Sequence, residues 1–279
     1  MATYNLALVF VFGGLGLVAL SVYFFLSLRK QERLQKIQKM PFKDEHRVYL
    51  RKTPHYKNLS VKDKEMIERS ILLFVNTKDF IGISLDVTAE MKVIIAFYAC
   101  LLILHIDAEN CYDTLKSIVV YPHSFAINKI QNNGGIFSHE QFFIEGQSSH
   151  DTVIIIWDEA KSEAYQLRQD NVIIHEFTHI IDFMDGEIDG VPPIEMSKYN
   201  EWSRVLNSEF NRLNKVALKN RNLGKYELLG AYASTNEAEF FAVVTERFFG
   251  SPKSLKENFP ELYHELENFY KIDPLKLIV

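Results

Sequence analysis

The 279-residue chain has little cysteine, only Cys100 and Cys111, and this scarcity excludes a disulfide-stapled fold. A reducing compartment is therefore expected, with Cys100, which lies inside an apolar run, as a buried thiol. The chain also lacks long basic blocks, and its formal net charge is −5, so no nucleic-acid-binding surface is predicted. It shows neither internal repeats nor low-complexity stretches, and 47% hydrophobic residues are enough for a substantial core.

Charge is absent from Leu6 to Leu28, an apolar run of 23 residues. As a helix this run would be roughly 34 Å long, enough to cross a hydrocarbon core about 30 Å thick. No basic residue precedes it and it ends in FFLSLRK, which favours an uncleaved anchor over the alternative, a signal peptide on a secreted domain. The positive-inside rule then places the basic residues that follow in the cytoplasm. They are Arg29, Lys30, Arg33, Lys36 and Lys39.

Three segments are predicted on this basis: a transmembrane anchor at 1–28, a basic polar stalk at 29–41 and a globular domain at 42–279. The lipid bilayer is therefore an expected partner of residues 6–28, and the domain is expected on the cytoplasmic side of a single-pass membrane protein.

The globular segment reads as mostly helical. Thr88 to Ile106 is apolar but too short to span a membrane, which predicts a buried core helix. Ser117–Pro122 and Thr152–Asp158 are short and β-branched, and the turn residues NNGGIF between them favour a small antiparallel sheet. Strands followed by helices indicate an α+β fold. Further helices are predicted at about Asn171–Met184, Lys198–Asn220, Glu237–Phe249 and from Pro260.

Helix starts carry capping signals. Ser60 with Asp63 has the spacing of a capping box, and so has Ser234 with Glu237. Each pair predicts the first turn of a helix.

The stretch HEFTH places His175 and His179 four residues apart, so both imidazoles lie on one helix face and can bind one ion. Zn²⁺ suits imidazole nitrogen and leaves room for a carboxylate and a water. Glu176 is displaced by one residue and flanks such an ion, as the general base does in HExxH metallopeptidases. The competing interpretation, two ordinary helix histidines, does not explain why the motif lies on an otherwise apolar helix.

A third zinc ligand is needed, and two candidates remain open. The metzincin pattern would require Gly at 182 and His at 185, where the chain has Asp182 and Asp185, so Asp185 is only a carboxylate variant of it. Glu239 lies in the first turn of a predicted helix among apolar residues, where a carboxylate is costly unless it is paired or binds metal. This argument favours Glu239. Glu246, two turns further on the same face, is a candidate partner for a ligand histidine.

Five of the other histidines stand among polar residues, and we expect them to be solvated. They are His46, His55, His139, His150 and His264.

Two stretches, HEFTHIIDFMDGEIDGVPP and YASTNEAEFFAV, together resemble the Mlc titration factor A family of zinc peptidases. By active-site layout this family is similar to the catalytic domain of anthrax lethal factor. FVNTKDFIG, YACLLIL, VVYPHSF, VIIIWD and YKIDP extend the likeness over roughly residues 42–274. The resemblance implies a zincin-like fold, His175, His179 and Glu239 as ligands of one Zn²⁺ per chain, Glu176 as base, and a Tyr232 hydroxyl directed into the site.

The expected function is thus a membrane-anchored zinc peptidase that hydrolyses a peptide or protein substrate with metal-activated water. The resemblance suggests short peptides and aminopeptidase activity, for which Asp185, Glu187 and Asp189 are candidate anchors of the substrate amine. An alternative of another class is a membrane-tethered protein that sequesters a cytoplasmic transcription regulator. A third, a purely structural metal domain, has no use for Glu176.

Overall fold

A computed structural model describes residues 2–107, 111–123, 151–219 and 222–278, with backbone alone for residues 2–11. The chain forms two compact units, Met1–Pro41 and Phe42–Val279. The predicted turn at 132–137, His139 and His150 lie outside the described residues.

The first unit contains helix α1, Ala2–Gln38. From Phe12 onward it includes a stretch long and apolar enough to cross a membrane. Its large apolar side chains are exposed, with Phe12 and Leu17 both 68% accessible. Length and composition are therefore compatible with a membrane span.

The second unit is mostly helical, and the predicted α+β class is confirmed. Its helices are α2 (Asp44–Leu50), α3 (Pro54–Asn58), α4 (Val61–Thr77), α5 (Ala89–Leu102), α6 (Trp157–Tyr165), α7 (Val172–Asp182), α8 (Met196–Ala217), α9 (Glu237–Gly250), α10 (Pro252–Asn258) and α11 (Pro260–Tyr270). Its described strands are β1 (Asp79–Gly82), β2 (Ser117–Tyr121) and β3 (Thr152–Ile156).

These strands form a parallel sheet in the order β1-β2-β3, so the expected antiparallel sheet is wrong. Parallel neighbours need a crossover of about a dozen residues or more. The chain supplies one through α5 between β1 and β2, and residues 122–151 separate β2 from β3. Turn residues in that second connection therefore do not indicate a hairpin. Alternate side chains of the sheet face the core, including Ile118, Val120 and Ile155, each 0% exposed.

Side-chain caps set where several helices begin. The hydroxyl of Ser60 accepts from the Asp63 backbone N–H at 3.1 Å, as its spacing predicts. The expected Ser234 cap is wrong: Asn236 is the N-cap of α9 and its side chain accepts from the Glu239 N–H at 2.8 Å. Ser234 instead ends a 3₁₀ turn, where its hydroxyl donates to the Ala231 carbonyl.

The core is centred on α5 and α7. Every α5 residue from Val93 to Leu102 is at most 1% exposed, which confirms a buried helix, and Cys100 is a free buried thiol. Helix α7 packs against α5, α9 and β3, so the small sheet lies beside the helix that carries the HEFTH stretch.

His55 departs from its predicted solvated state. It is 3% exposed, and its Nε2 lies 3.0 Å from the Phe249 carbonyl oxygen. Its ring also packs edge-on against Tyr98. Burial lowers the pKa of His55, so the neutral imidazole joins α3 to α9 as a core residue. Polar neighbours led to the prediction of exposure. They are a poor guide here, because a helix of five residues is too short to show which of its faces is buried.

Candidate metal centre

Helix α7 presents both motif histidines on one buried face. Asn171 caps its start by accepting from the Ile174 N–H at 3.1 Å. Ile173 and Phe177 are 0% exposed and hold the helix in the core. The Nε2 atoms of His175 and His179 consequently lie 3.3 Å apart.

Glu239 comes to these two nitrogens from the first turn of α9. One carboxylate oxygen lies 3.0 Å from His175 Nε2, and the other lies 3.5 Å from His179 Nε2. Among the described residues, these three form the group of His, Cys, Asp and Glu side chains whose ligand atoms converge. Asp185 is exposed, and its Oδ1 accepts from the Glu187 backbone N–H at 3.2 Å.

The donor set fits a tetrahedral metal. Zinc bonds of 2.0–2.1 Å to nitrogen and oxygen imply a tetrahedron with edges of roughly 3.3 Å. The two imidazole nitrogens lie 3.3 Å apart, and the two oxygens of Glu239 lie 3.0 Å and 3.5 Å from one nitrogen each, so neighbouring donor atoms are spaced at about the length of such an edge. Two imidazoles and one carboxylate leave one corner for solvent or substrate, as catalytic zinc sites require.

In this centre, contacts between buried imidazoles and carboxylates shift the pKa values of His175 and Glu239. Burial alone would lower the pKa of His175, but contacts with Glu239 and Glu246 outweigh it and raise that pKa well above its usual value. Burial would likewise raise the pKa of Glu239, whereas hydrogen bonds from His175 and His179 lower it. Both shifts favour positive charge between the imidazoles and the carboxylate, which is the condition that a bound cation would also meet.

Two further predicted side chains lie near this group. Glu176 follows His175 on α7 and is 8% exposed. The Tyr232 ring centroid lies 6.1 Å from that of His175, and the two planes are inclined by 37°. A 3₁₀ turn at Tyr232–Ser234, just before α9, carries this ring.

The candidate anchors for a substrate amine lie on the loop after α7. Asp185, Glu187 and Asp189 are all exposed, and the converging ligand group does not include them. Two of them make local turns: Asp185 accepts from Glu187 N–H, and Asp189 accepts from the Val191 N–H at 3.1 Å.

The backbone of this loop packs closely against the start of α9 at Gly190, a contact that sequence reasoning did not predict. The Gly190 N–H donates to Asp182 Oδ2 at 2.9 Å, and the Gly190 carbonyl accepts from Trp202 Nε1 at 3.2 Å. Gly190 has φ +78°, and a Cβ there would lie 2.5 Å from the Glu237 carbonyl oxygen. Because Glu237 is two residues from Glu239, the loop supports the turn that carries Glu239. Only glycine allows this approach.

A second set of contacts missed by sequence reasoning holds the chain before α7. Arg247 is 8% exposed and donates to the Gln169 carbonyl oxygen at 2.8 Å and to that of Leu228 at 2.6 Å. Glu163 accepts from the Val172 N–H at 2.7 Å. Burial raises the pKa of Glu163 to about 7. The sequence signal for these contacts was an arginine inside the apolar run FFAVVTERFF, because a buried charge needs polar partners.

Comparison with known proteins places this chain in a family. The profile of the glucose-regulated metallo-peptidase M90 family matches residues 27–271. The chain belongs to this family. A Synechocystis protein described only as uncharacterized, slr2042, is 33% identical over 228 residues, covering 80% of this chain and 81% of its own.

Mlc titration factor A of Serratia proteamaculans is 30% identical over 195 residues, which are 68% of this chain and 72% of that protein. The Klebsiella pneumoniae protein of the same name is 26% identical over 227 residues, with 80% and 84% coverage. The resemblance to the Mlc titration factor A family is confirmed. The family name indicates a metal-dependent peptidase, which agrees with the converging His175, His179 and Glu239.

Proposed function

We propose that this chain is a zinc-dependent peptidase in which His175, His179 and Glu239 bind one Zn²⁺. The observation that carries the proposal is the convergence of two imidazole nitrogens and the Glu239 carboxylate, whose neighbouring donor atoms lie 3.0–3.5 Å apart, close to the edge of a zinc tetrahedron. Membership of a metallo-peptidase family supports the same conclusion.

Each nearby side chain has a role in peptide hydrolysis. Zinc, when bound, supplies Lewis acidity that makes water a nucleophile near neutral pH. Glu176 accepts the proton released from that water and transfers it to the leaving amine. The Tyr232 hydroxyl donates a hydrogen bond to the oxyanion that develops on the attacked carbonyl. His175 and His179 remain neutral ligands throughout.

The substrate in this proposal is a short peptide, cleaved as by an aminopeptidase. An aminopeptidase must recognise a protonated amine, and carboxylates supply that recognition. Asp185, Glu187 and Asp189 offer three exposed carboxylates on the loop that follows the motif helix. Peptides with a free amino terminus should therefore be cleaved faster than the same peptides with acetylated termini, and equal rates would refute the aminopeptidase assignment.

Residues 6–28 anchor the proposed enzyme in a membrane, with the zinc metallopeptidase domain (42–279) in the cytoplasm. The length and apolar surface of α1 support the anchor. Five basic residues between 29 and 39 support the orientation.

The relatives' names favour a second candidate function. Two of them are called Mlc titration factor A. By analogy this chain would bind a cytoplasmic transcription regulator and sequester it at the membrane. Sequestration needs a binding surface but no general base, so the two functions make different demands on Glu176.

Experiments on the full-length chain, purified in detergent, distinguish the peptidase from the sequestering protein. Zinc content is measured by elemental analysis, and cleavage is measured on a peptide library. Wild type should carry one zinc and cleave, whereas Glu176→Gln should keep the metal and lose about 10²–10⁴-fold in rate. Tyr232→Phe should also keep zinc and lose about 10²–10³-fold in kcat.

Glu209→Gln is the matched control. Glu209 is another buried carboxylate, 9% exposed, which accepts a hydrogen bond from the Tyr226 hydroxyl at 2.7 Å. Its other oxygen accepts from Arg212 Nη1 at 2.6 Å, and Glu209 does not belong to the converging ligand group. Glutamine should therefore disturb these local contacts alone, and the variant should cleave like wild type. Equal cleavage by wild type and Glu176→Gln would refute the peptidase proposal. Binding of purified Mlc by both proteins, without cleavage by either, would instead establish sequestration.

A further inference from the structure

Helix α9 supplies a second carboxylate to the candidate metal centre, two turns beyond Glu239. Glu246 is 6% exposed, and its Oε1 lies 2.7 Å from Nδ1 of His175. This is the nitrogen on the opposite side of the ring from the one that faces Glu239. Glu239 and Glu246 of α9 therefore contact one imidazole, one at each nitrogen.

The other oxygen of Glu246 binds the start of α7. Its Oε2 accepts from the Asn171 backbone N–H at 2.8 Å. Asn171 is the N-cap of α7, and His175 lies one turn further along the same helix. One carboxylate thus joins the helix start to the ring, and both of its oxygens are committed.

The surrounding contacts keep Glu246 from turning away. Arg247 binds the Gln169 carbonyl and pairs with Asp170 at 2.8 Å, so it holds the segment that precedes α7. Gly250 lets this segment approach α9, because a Cβ there would lie 2.1 Å from the Arg168 carbonyl oxygen. The second half of α9 therefore fixes the start of α7.

An ionised carboxylate only accepts hydrogen bonds, so its partner nitrogen must carry the proton. With Nδ1 protonated, the neutral ring keeps the lone pair on Nε2, which faces His179 and Glu239. A carboxylate behind a ligand histidine also raises the basicity of that ligand.

We infer that Glu246 is a positioning residue that selects the Nδ1-protonated form of His175 and thereby directs its Nε2 to the metal. This inference rests on the proposed zinc site. Glu246 touches neither substrate nor metal and acts through His175 alone.

Glu246→Gln tests the inference because glutamine keeps the shape but changes the pattern of donors. If its oxygen accepts from the Asn171 N–H, its NH₂ group faces His175 Nδ1 and favours the proton on Nε2, where the metal must bind. If the amide turns over, its NH₂ group faces the Asn171 N–H instead. The first arrangement selects the ring form that cannot bind the metal through Nε2, and the second places two donors against each other at the start of α7.

The measurement is the zinc affinity of the full-length chain in detergent, by competition with a chelator. Removing such a partner typically weakens metal binding 10- to 100-fold, and we expect that loss in Glu246→Gln, with binding no tighter than in Glu246→Ala. The visible spectrum of the Co²⁺-substituted protein should also change. The melting temperature of metal-free Glu246→Gln should stay close to wild type, and Glu209→Gln should bind zinc normally.

Wild-type affinity in Glu246→Gln would overturn the inference, as would an equal loss in Glu209→Gln. If Glu246→Ala fails to fold, Glu246→Gln carries the comparison alone. A wild-type chain that binds no zinc would refute the proposed function itself, whereas tight binding by both wild type and Glu246→Gln would refute only the role of Glu246.

Discussion

Replacement of Gly190 by alanine should destabilise the protein and weaken its metal site together. Gly190 is held on both sides, by Asp182 at its N–H and by Trp202 at its carbonyl, so it cannot move away from α9. An added Cβ would lie 2.5 Å from the Glu237 carbonyl oxygen and 2.8 Å from the carbonyl carbon, both of which are backbone atoms. No flexible side-chain end is available to yield.

Two costs contribute to the expected loss. A left-handed conformation costs a residue with Cβ about 1–2 kcal/mol. Overpacking against a fixed neighbour typically costs about 1–3 kcal/mol more. The free energy of unfolding should therefore fall by about 2–5 kcal/mol. Any relief of the overlap displaces Glu237, so Glu239 should also move and zinc affinity should fall.

Gly186 offers a matched control in the same loop. It has φ +102°, and its added Cβ would meet nothing within 4 Å. Gly186→Ala should therefore show only the conformational cost. Urea denaturation of both full-length variants in detergent, followed by tryptophan fluorescence, gives the difference, and Trp202 reports directly on the Gly190 contact. Equal losses of stability in the two variants, with equal zinc affinity, would show that the close approach to α9 does not support the site.

Two further predictions concern pH and topology. Burial, with Asp189 and Asp185 nearby, raises the pKa of Asp182 from its ordinary 3.8 to about 7, so the folded metal-free chain keeps a proton that the unfolded chain has lost between these values. The free energy of unfolding of wild type, measured by urea denaturation, should fall by about 4 kcal/mol as pH rises from 4 to 7. That of Asp182→Asn should change less over the same range, and an equal change in the two proteins would contradict the burial argument. A reporter enzyme that is active only outside the cytoplasm, fused after Val279, should remain inactive, and activity would reverse the proposed orientation.

Local sequence was sufficient for the parts of the site that lie within one helix. His175 and His179 share a face because helical residues four apart always do. The apolar runs also predicted the buried α5 and the extent of α9, although the residue that caps α9 is Asn236 and not Ser234. In each case the relevant interactions span only a few residues.

Local sequence could not predict contacts between segments that are far apart along the chain. From chemistry alone both Asp185 and Glu239 remained open as third ligand, and the packing of α9 on α7 brings Glu239 to the imidazoles while Asp185 stays exposed. The same packing places Glu246 behind His175, 71 residues apart in sequence.

Two predictions were wrong because they also depended on contacts between distant segments. Turn residues between β2 and β3 suggested a hairpin, but parallel pairing depends on where the crossover returns the chain. His55 was expected in solvent because its neighbours are polar, yet Phe249, 194 residues away, covers it.

The sequence by itself determined the helix that carries HEFTH, the long apolar segment at 6–28 and the family, because periodicity, length and motif are properties of neighbouring residues. Only the tertiary structure decided which carboxylate lies beside His175 and His179, which one lies behind His175, and the direction of the strands. Those features depend on which faces of distant helices and strands pack together, and the spacing of residues along the chain does not specify that.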